Sequence, residues 1–236
     1  MAIERKRAQT PDTSGLSEFA PRERVTKEVQ ESHDFIKPGW AVGKNRYSNS
    51  GEKADYFSIK KFEEEIIIKF LDDVSFAPVF QHWVLMEGGK RRPFTCIVKE
   101  CPLCERGDTP KSCDYINLVE LSAKSPDDEK YPEPVLKLWS ASPSPAAAIK
   151  QRAENKRSSP INRKGLYFAA FKVNGKNDIP EYHLDPVRED ELDDYAVQPL
   201  TDEQLAKFNS EKYDKSVVKV HTKSELEEIA EKYLED

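Results

Sequence analysis

All four cysteines of this 236-residue chain lie in one segment of twenty residues, FTCIVKECPLCERGDTPKSC, which runs from Phe94 to Cys113. Their spacing is Cys96-x4-Cys101-x2-Cys104-x8-Cys113. Two thiolates three residues apart, in a turn relaxed by a nearby glycine, can bind one tetrahedral Zn²⁺ ion. A redox-active CxxC pair is the alternative, but such a pair normally begins a helix in a βαβ unit. No βαβ unit is predicted here, so the spacing favours a structural zinc site, whose thiolates leave no position open for water.

The residues alone leave the fourth zinc ligand open. The four cysteines form a compact local set that can be complete by itself. His82 is the rival, because residues 80–86 and 93–98 are predicted to form a hairpin around a Gly-Gly pair. The predicted turn places His82 directly across from Cys96, or one residue away. Side chains opposed across two strands have Cβ atoms about 4.5–5.5 Å apart, which is close enough to share a metal ion.

Catalysis is not predicted by any motif in the sequence. There is no Ser/His/Asp or Cys/His arrangement of a nucleophile and its base, and the nine glycines form no phosphate-binding loop. The carboxylates beside the cysteines, Glu100, Glu105 and Asp108, are predicted to be ordinary surface charges. No apolar run is long enough to predict a membrane span, and the first fifteen residues lack the apolar segment of a secretory signal. A non-enzymatic, cytoplasmic protein without a membrane partner is expected.

Short runs rich in β-branched and aromatic residues predict a mainly β domain. The predicted strands cover residues 65–71, 80–86, 93–98, 114–121, 134–141, 165–173 and 179–187. One helix is predicted over residues 144–156, with Ser144 as its N-cap. Because strands do not alternate with helices, a small barrel is favoured over a parallel sheet. The OB-fold is the small barrel that best accommodates long insertions, so an OB-fold-like barrel with an inserted zinc-binding hairpin is expected.

The chain is predicted to have three parts. Residues 1–55 are polar and basic without a persistent hydrophobic period, which predicts a flexible arm. Residues 56–188 are predicted to form the OB-fold-like domain, with its zinc subdomain at about 82–113. The remaining residues are an acidic region with predicted helices over 201–213 and 224–236 and a short strand over 216–222. The third part therefore extends from 189 to 236.

Charge is unevenly distributed along the chain. The formal net charge is −6, but residues 185–236 contain sixteen acidic residues and seven Lys or Arg. Residues 150–164, by contrast, contain six basic residues and a single Glu. A basic middle and an acidic end suggest a polyanionic partner and a tail that competes for the same surface. A solvated surface beside a charged helix is the simpler alternative.

Aromatic and basic side chains are interleaved on the predicted strands in a way that suits single-stranded nucleic acid. Side chains alternate between the two faces of a strand, so Lys137 shares a face with Trp139, and Phe168 shares one with Lys172. Bases stack on rings while cations hold phosphates. Burial of Trp139 or Phe168 in the core is the alternative. The candidate nucleic-acid contacts are Lys90, Arg91, Arg92, Tyr115, Lys137, Trp139, Phe168 and Lys172.

The segments QHWVLMEGGKRRPFTC, CPLCERGDTPK, NLVEL and VLKLW, which lie between residues 65 and 187, resemble the single-stranded DNA-binding proteins of tailed phages. That family includes the T-even helix-destabilising protein and proteins of actinobacterial phages. The resemblance implies an OB-fold whose structural Zn²⁺ is held by one histidine and three cysteines, here His82, Cys96, Cys101 and Cys104. The chain departs from this pattern by its extra Cys113 and by a longer structured region before its C-terminus.

The resemblance also implies a function. A protein of this family coats single-stranded DNA without sequence preference during phage DNA replication and recombination, in the host cytoplasm. Its acidic C-terminal region recruits replication and recombination proteins, and self-association on the DNA is expected. A zinc-ribbon protein-interaction module, such as a transcription or replication accessory factor, is the alternative function for the same residues.

Overall fold

A computed structural model of the chain describes residues 54–127 and 129–234. Apart from its last two residues, the arm predicted over residues 1–55 lies outside this part. The described residues form mainly antiparallel β-sheet with a few helices, as the sequence predicts. No helix among them is both long and apolar enough to cross a lipid bilayer.

Seven strands of the described residues form one sheet in which every strand pairing is antiparallel. The strands are β1 (Ile66–Phe70), β2 (Ala77–Leu85), β3 (Arg91–Thr95), β4 (Lys111–Leu121), β5 (Val135–Ala141), β6 (Leu166–Asn174) and β7 (Pro180–Arg188). Their order is β3-β2-β4-β1-β6-β7, and β5 pairs with the second edge of β4. The first half of β4 pairs with β2 and its second half with β1, so this 11-residue strand joins the two parts of the sheet.

The predicted OB-fold barrel is not confirmed, because the sheet is not closed. Closure requires that one edge strand pair with the opposite edge. Within residues 54–127 and 129–234, no pairing connects β7 or β5 with β3. Each predicted strand segment from 65 to 187 overlaps an observed strand, so local pattern predicts the strands while the closure of a barrel depends on distant edges.

In the part of the chain that the structure describes, four α-helices accompany the sheet: α1 (Pro102–Glu105), α2 (Pro143–Glu154), α3 (Asp202–Ser210) and α4 (Lys223–Tyr233). The N-cap of α2 is Ser142 and not the predicted Ser144. Pro143 occupies the first helical position, where the N–H that proline lacks would have no partner in any case. Thr201 and Thr222 begin α3 and α4 with capping boxes, in which side chain and backbone bond reciprocally.

The strand predicted over residues 216–222 is absent, and a 3-10 turn at Lys215–Val217 takes its place. Val217, Val218 and Val220 are nevertheless buried against the β2–β4–β5 part of the sheet. These β-branched residues thus contribute apolar burial to the core without contributing hydrogen bonds to the sheet.

Both faces of the central strands β1, β4 and β6 are covered, each by a different part of the chain. On one face, Ile68, Ile116 and Phe168 pack in the same cluster as Ile149 of α2. On the other face, the alternate residues pack against the segment after β7, which supplies Leu192, Val197, Leu200 and Phe208. The central strands are therefore buried on both sides and have few side chains left for a ligand.

The C-terminal segment passes from one face of the β2–β3 hairpin to the other. Thr95 Oγ1 donates a hydrogen bond of 2.8 Å to the Lys219 carbonyl. Two residues later the ring of His221 lies 5.0 Å from the ring of Phe94, which is next to Thr95 and points to the opposite face. Helix α4 then packs on that opposite face, and this route places it over the cysteine cluster.

Candidate metal centre

Four side chains of the hairpin and the following loop converge on one point. His82 lies in β2, Cys96 directly follows β3, and Cys101 and Cys104 belong to the N-cap and the body of α1. Their potential ligand atoms all lie within 4.8 Å of one another, an arrangement that can hold a metal ion. The Sγ atoms of Cys96 and Cys104 are 3.7 Å apart, and His82 Nε2 is 3.5 Å from the sulfurs of Cys101 and Cys104.

Cys113, the alternative fourth ligand, lies outside this cluster. It is buried in β4, where its Sγ is 2.9 Å from Ser140 Oγ on the neighbouring strand β5. Burial raises the pKa of the Cys113 thiol to about 12, so the side chain is a neutral thiol of the core. Among the described residues, the structure therefore places His82 and not Cys113 with the other three cysteines.

The predicted register of the hairpin was wrong by one to two residues. His82 pairs with Phe94, and Cys96 lies two positions further along, where its N–H donates a 2.8 Å hydrogen bond to the Phe80 carbonyl. The turn is a three-residue loop closed by a bond from Met86 N–H to the Lys90 carbonyl, which centres it on Gly88. Since His82 and Cys96 remain on the same face as diagonal neighbours, the shift leaves both within reach of one ion.

The chain between β3 and α1 bends sharply to bring Cys101 back to Cys96. Val98 and Glu100 adopt positive φ angles of 65° and 50°, a conformation that is rare outside glycine and unusual for a β-branched residue. The backbone N–H of Val98 donates to Cys96 Sγ at 3.4 Å. The bend thus orients the sulfur and gives it a hydrogen-bond donor.

Asp108 belongs to the site and is not the ordinary surface charge predicted from the sequence. Gly107, with φ 82°, ends α1 in a Schellman motif, with bonds from Gly107 N–H to the Cys104 carbonyl and from Asp108 N–H to the Leu103 carbonyl. This turn brings an Asp108 oxygen to 2.6 Å from His82 Nδ1. The signal in the sequence was the glycine three residues after Cys104, which predicts a helix end that folds the next residue back.

Charge in the site is shared among closely coupled groups. Burial opposes protonation of His82, but its contacts with Cys101 and Asp108 outweigh burial and raise the pKa of the ring. The hydrogen bond from Cys96 lowers the pKa of the Cys101 thiol, and the same contact raises the pKa of Cys96. A thiolate is thus favoured at Cys101, which is the form that binds metal ions.

Helix α4 covers the loop that carries Cys96, Cys101 and Cys104, the candidate metal-binding loop. Leu226 and Ala230 are buried in one cluster with Cys96, Cys101 and Leu103. Two ion pairs flank this contact, one of 3.1 Å between Lys223 and Glu100 and one of 3.0 Å between Lys232 and Glu87. Glu100 therefore forms an ion pair with α4 through Lys223. The acidic C-terminal helix predicted from sequence is present, and its apolar side packs against the candidate metal centre.

The three rings predicted to stack on bases are buried. Tyr115, Trp139 and Phe168 have exposed fractions of 5%, 4% and 0%. The indole of Trp139 lies edge-on to Phe57 with ring centroids 4.9 Å apart, and Phe168 packs in the same manner on Phe70 at 5.3 Å. The faces of these strands are covered, so none of the three rings is open to a base. The three rings are core residues, which was the alternative for Trp139 and Phe168.

The predicted cations differ in whether they have partners. Lys137 bonds Asp55 at 2.7 Å, and Lys172 donates to the Lys60 carbonyl at 3.0 Å while lying over the ring of Phe62. In the basic stretch 150–164, Lys150, Arg152 and Lys164 pair with Glu154, Asp185 and Asp202. By contrast, Lys90, Arg91 and Arg92 are exposed, and their side chains form no ion pair with a described residue.

No protein-family model matches this chain, and no curated protein or solved structure matches it significantly. The resemblance to the phage proteins stays a prediction based on the motif residues.

Proposed function

We propose that this chain is a single-stranded DNA-binding protein in which a zinc-stiffened hairpin presents cations to the phosphates. One observation carries the proposal. Lys90, Arg91 and Arg92 are exposed at the turn of a hairpin anchored by the His82 cluster, and no carboxylate of the described residues neutralises them. The other predicted cations, Lys137 and Lys172, already have polar partners.

The donor set and its spacing support Zn²⁺ as the metal. Zinc binds thiolate sulfur at about 2.3 Å and imidazole nitrogen at about 2.0–2.1 Å with tetrahedral geometry. Such an ion separates two sulfurs by about 3.8 Å and a sulfur from a nitrogen by about 3.5 Å. The observed separations of 3.7 Å and 3.5 Å fit these values. One His and three Cys fill the coordination sphere, so the proposed ion is structural.

Binding in this proposal is electrostatic and independent of sequence. Cations that contact phosphates release condensed counterions from the nucleic acid. The logarithm of the affinity for a single strand therefore falls linearly with the logarithm of the salt concentration, with a slope of about 0.7 per phosphate contact. Uncompensated side chains give up no intramolecular ion pair when they bind a phosphate. The three residues at the turn therefore contribute more to the slope than cations that are already paired.

The acidic C-terminal helix has a role in the same proposal. Its apolar side packs on the metal centre, while Glu227, Glu228 and Glu231 are exposed on the rest of its surface. An exposed acidic surface is complementary in charge to a basic site on another protein. The proposed partners are replication and recombination proteins that carry such sites. The protein would act in phage DNA replication and recombination, in the host cytoplasm.

A salt titration with a matched charge control tests the proposed function. Binding of a fluorescein-labelled dT oligonucleotide is measured by anisotropy for the wild type, for the triple variant K90Q/R91Q/R92Q and for the control K130Q/K156Q/K176Q. The control removes the same charge from exposed lysines elsewhere on the described surface. In a plot of log affinity against log salt concentration, we expect the slope of the hairpin variant to be smaller than that of the wild type by about 2. The slope of the control should change much less.

Two outcomes contradict the proposal. A wild type that does not bind the oligonucleotide at low salt excludes DNA coating and leaves the protein-interaction alternative. Equal losses in the two triple variants mean that net charge, and not the hairpin, determines binding.

A further inference from the structure

We infer that Trp83 is the residue on which this protein stacks a nucleic-acid base, and that the outer face of the hairpin is the corresponding binding surface. The inference deepens the proposed function and rests on it. The predicted stacking rings are buried, so a binding mode that includes stacking needs a ring elsewhere. Trp83 is 38% exposed, whereas Trp139, the other described tryptophan, is 4% exposed.

The register of β2 with β3 defines the surface around Trp83. Trp83 pairs with Pro93 and Leu85 pairs with Arg91, and side chains two residues apart on a strand share a face. These four exposed residues, Trp83, Leu85, Arg91 and Pro93, are called the hairpin patch below. A guanidinium diagonally across two strands is within reach of an aromatic neighbour, so a ring and a cation are presented side by side.

The patch is exposed because the chain that covers this face stops short of it. The next pair on the same face, further from the turn, is Gln81 with Thr95. Each of these two residues is only 3% exposed, and Thr95 Oγ1 donates to the Lys219 carbonyl. After that contact the chain passes to the opposite face, where Val84 and Phe94 are buried with residues of α4. Helix α4 thus packs on one face of the hairpin, and the candidate metal ligands lie at its base, while no described residue buries the side chains of the patch on the other face.

Charge complementarity favours a polyanion as the occupant of the hairpin patch. Glu87 is the single acidic residue between Phe80 and Cys96, and it forms an ion pair with Lys232 at 3.0 Å. The adjacent Lys90, Arg91 and Arg92 have no such partner among the described residues. Pro93 lacks an N–H, and Arg91 and Arg92 precede it, which discourages pairing of the edge strand β3 with a protein strand.

The chemistry selects single strands over duplex. A base can lie on an indole only after it has left its neighbours in the stack, and this costs least in a single strand. Stacking on an aromatic side chain accepts any base, because every base has a π-face. The hairpin patch thus adds a contact with bases to the contacts with phosphates made at the turn.

Two probes of equal length separate stacking from phosphate binding. One is a fluorescein-labelled dT oligonucleotide, and the other is its abasic analogue, which keeps the phosphates and lacks the bases. We expect the wild type to prefer the dT probe. W83A should lose about 5-fold to 150-fold in affinity for dT, as for a stacked base worth about 1–3 kcal/mol, and should bind the abasic probe as the wild type does.

Two further variants complete the test. W83F keeps a ring and should retain most of the preference for dT. I179A removes an apolar side chain that is 61% exposed, next to β7 at the far edge of the sheet, and should bind both probes as the wild type does.

The outcomes distinguish this inference from the proposed function. If W83A keeps the preference of the wild type for dT over the abasic probe, the stacking inference is overturned while DNA binding remains. If the wild type binds neither probe, both are overturned. If W83A and L85A abolish self-association in sedimentation without changing dT binding, the patch is a protein interface and the inference is wrong.

Discussion

The imidazole of His82 is held between an acid and two thiols: its Nδ1 lies 2.6 Å from Asp108 Oδ2, and its Nε2 lies 3.5 Å from the sulfurs of Cys101 and Cys104. A carboxylate at one ring nitrogen fixes the tautomer and directs the other nitrogen at the metal. The ring is fully buried, so this bond also satisfies a nitrogen that water does not reach. Asp108 therefore connects the end of α1 to His82, the candidate ligand on β2.

Loss of the Asp108 carboxylate should weaken metal binding while leaving all four ligands in place. We expect D108A to bind zinc about 10-fold to 100-fold more weakly, as is typical when the partner of a ligating histidine is removed. Competition with a chromophoric chelator measures the affinity. E105Q changes another acid of the same loop and should bind zinc as the wild type does; an equal loss in both variants would mean that only loop charge matters.

The metal content of single variants identifies the fourth ligand. The wild type should bind one zinc ion per chain. H82A and C104S should lose most of it, because each removes a donor from the cluster, whereas C113A should retain it, because Cys113 lies in β4 beside Ser140. Mass spectrometry of metals after gel filtration gives the stoichiometry. Loss of zinc from C113A together with retention in H82A would contradict the structure.

Removal of the metal should release α4. This 11-residue helix is too short to be stable alone and depends on packing of Leu226 and Ala230 against the metal-binding loop. Chelation should therefore speed amide hydrogen exchange in Lys223–Tyr233, while exchange in α3, Asp202–Ser210, serves as the internal control and should change little. Unchanged protection of α4 in protein that has lost its metal would show that the loop keeps its shape without the ion.

Truncation of Leu226 tests the same packing from the side of the helix. L226A should lower the free energy of unfolding by about 2–5 kcal/mol, since the side chain is fully buried beside Leu103. Urea denaturation measures the change. The exposed neighbour Glu227 offers a control on the same helix, because E227A should change stability by less than about 0.5 kcal/mol.

Buried Lys69 should make stability rise with pH in the alkaline range. Its side chain is buried, and its Nζ donates to the carbonyls of Asn162, Arg163 and Leu166. Burial, followed by the charge of Arg163, lowers the pKa of Lys69 to about 8. Lysine in an unfolded chain titrates near 10.4. Between these values the unfolded state binds more protons than the folded state, so stability increases with pH.

The variant K69M lacks this titration and provides the comparison. The stability of the wild type relative to K69M should increase by about 2 to 3 kcal/mol between pH 7 and pH 10. Urea denaturation at both pH values, with the metal bound, gives the difference. If the stability difference between the wild type and K69M does not change with pH, Lys69 keeps its ordinary pKa in the folded protein, because its three carbonyl partners offset the effect of burial.

Local sequence determined the elements and most of the metal cluster. Hydrophobic period and turn residues are short-range signals, so segments such as 114–121 and 165–173 form strands as predicted, and Thr201, the first residue of a predicted helix, caps α3. Thr222 was predicted to end a strand and instead caps α4. Cys96, Cys101 and Cys104 meet because the first and the last are only eight positions apart in the sequence. Zinc, DNA binding and the phage role remain predictions for the experiments above.

Tertiary structure alone decided which residues of those elements face the solvent, the metal or the core. Alternation places Trp139 and Phe168 on a face, but only the packing of the covering segments buries that face and leaves Trp83 uncovered. The residues alone left His82 and Cys113 open as the fourth ligand, and the resemblance implied His82; the pairing of β2 with β4 places Cys113 opposite Val79 and beside Ser140, away from the cluster. A strand pattern specifies two faces without specifying what covers them, because covering depends on contacts between residues far apart in the chain, such as α4 with the metal-binding loop.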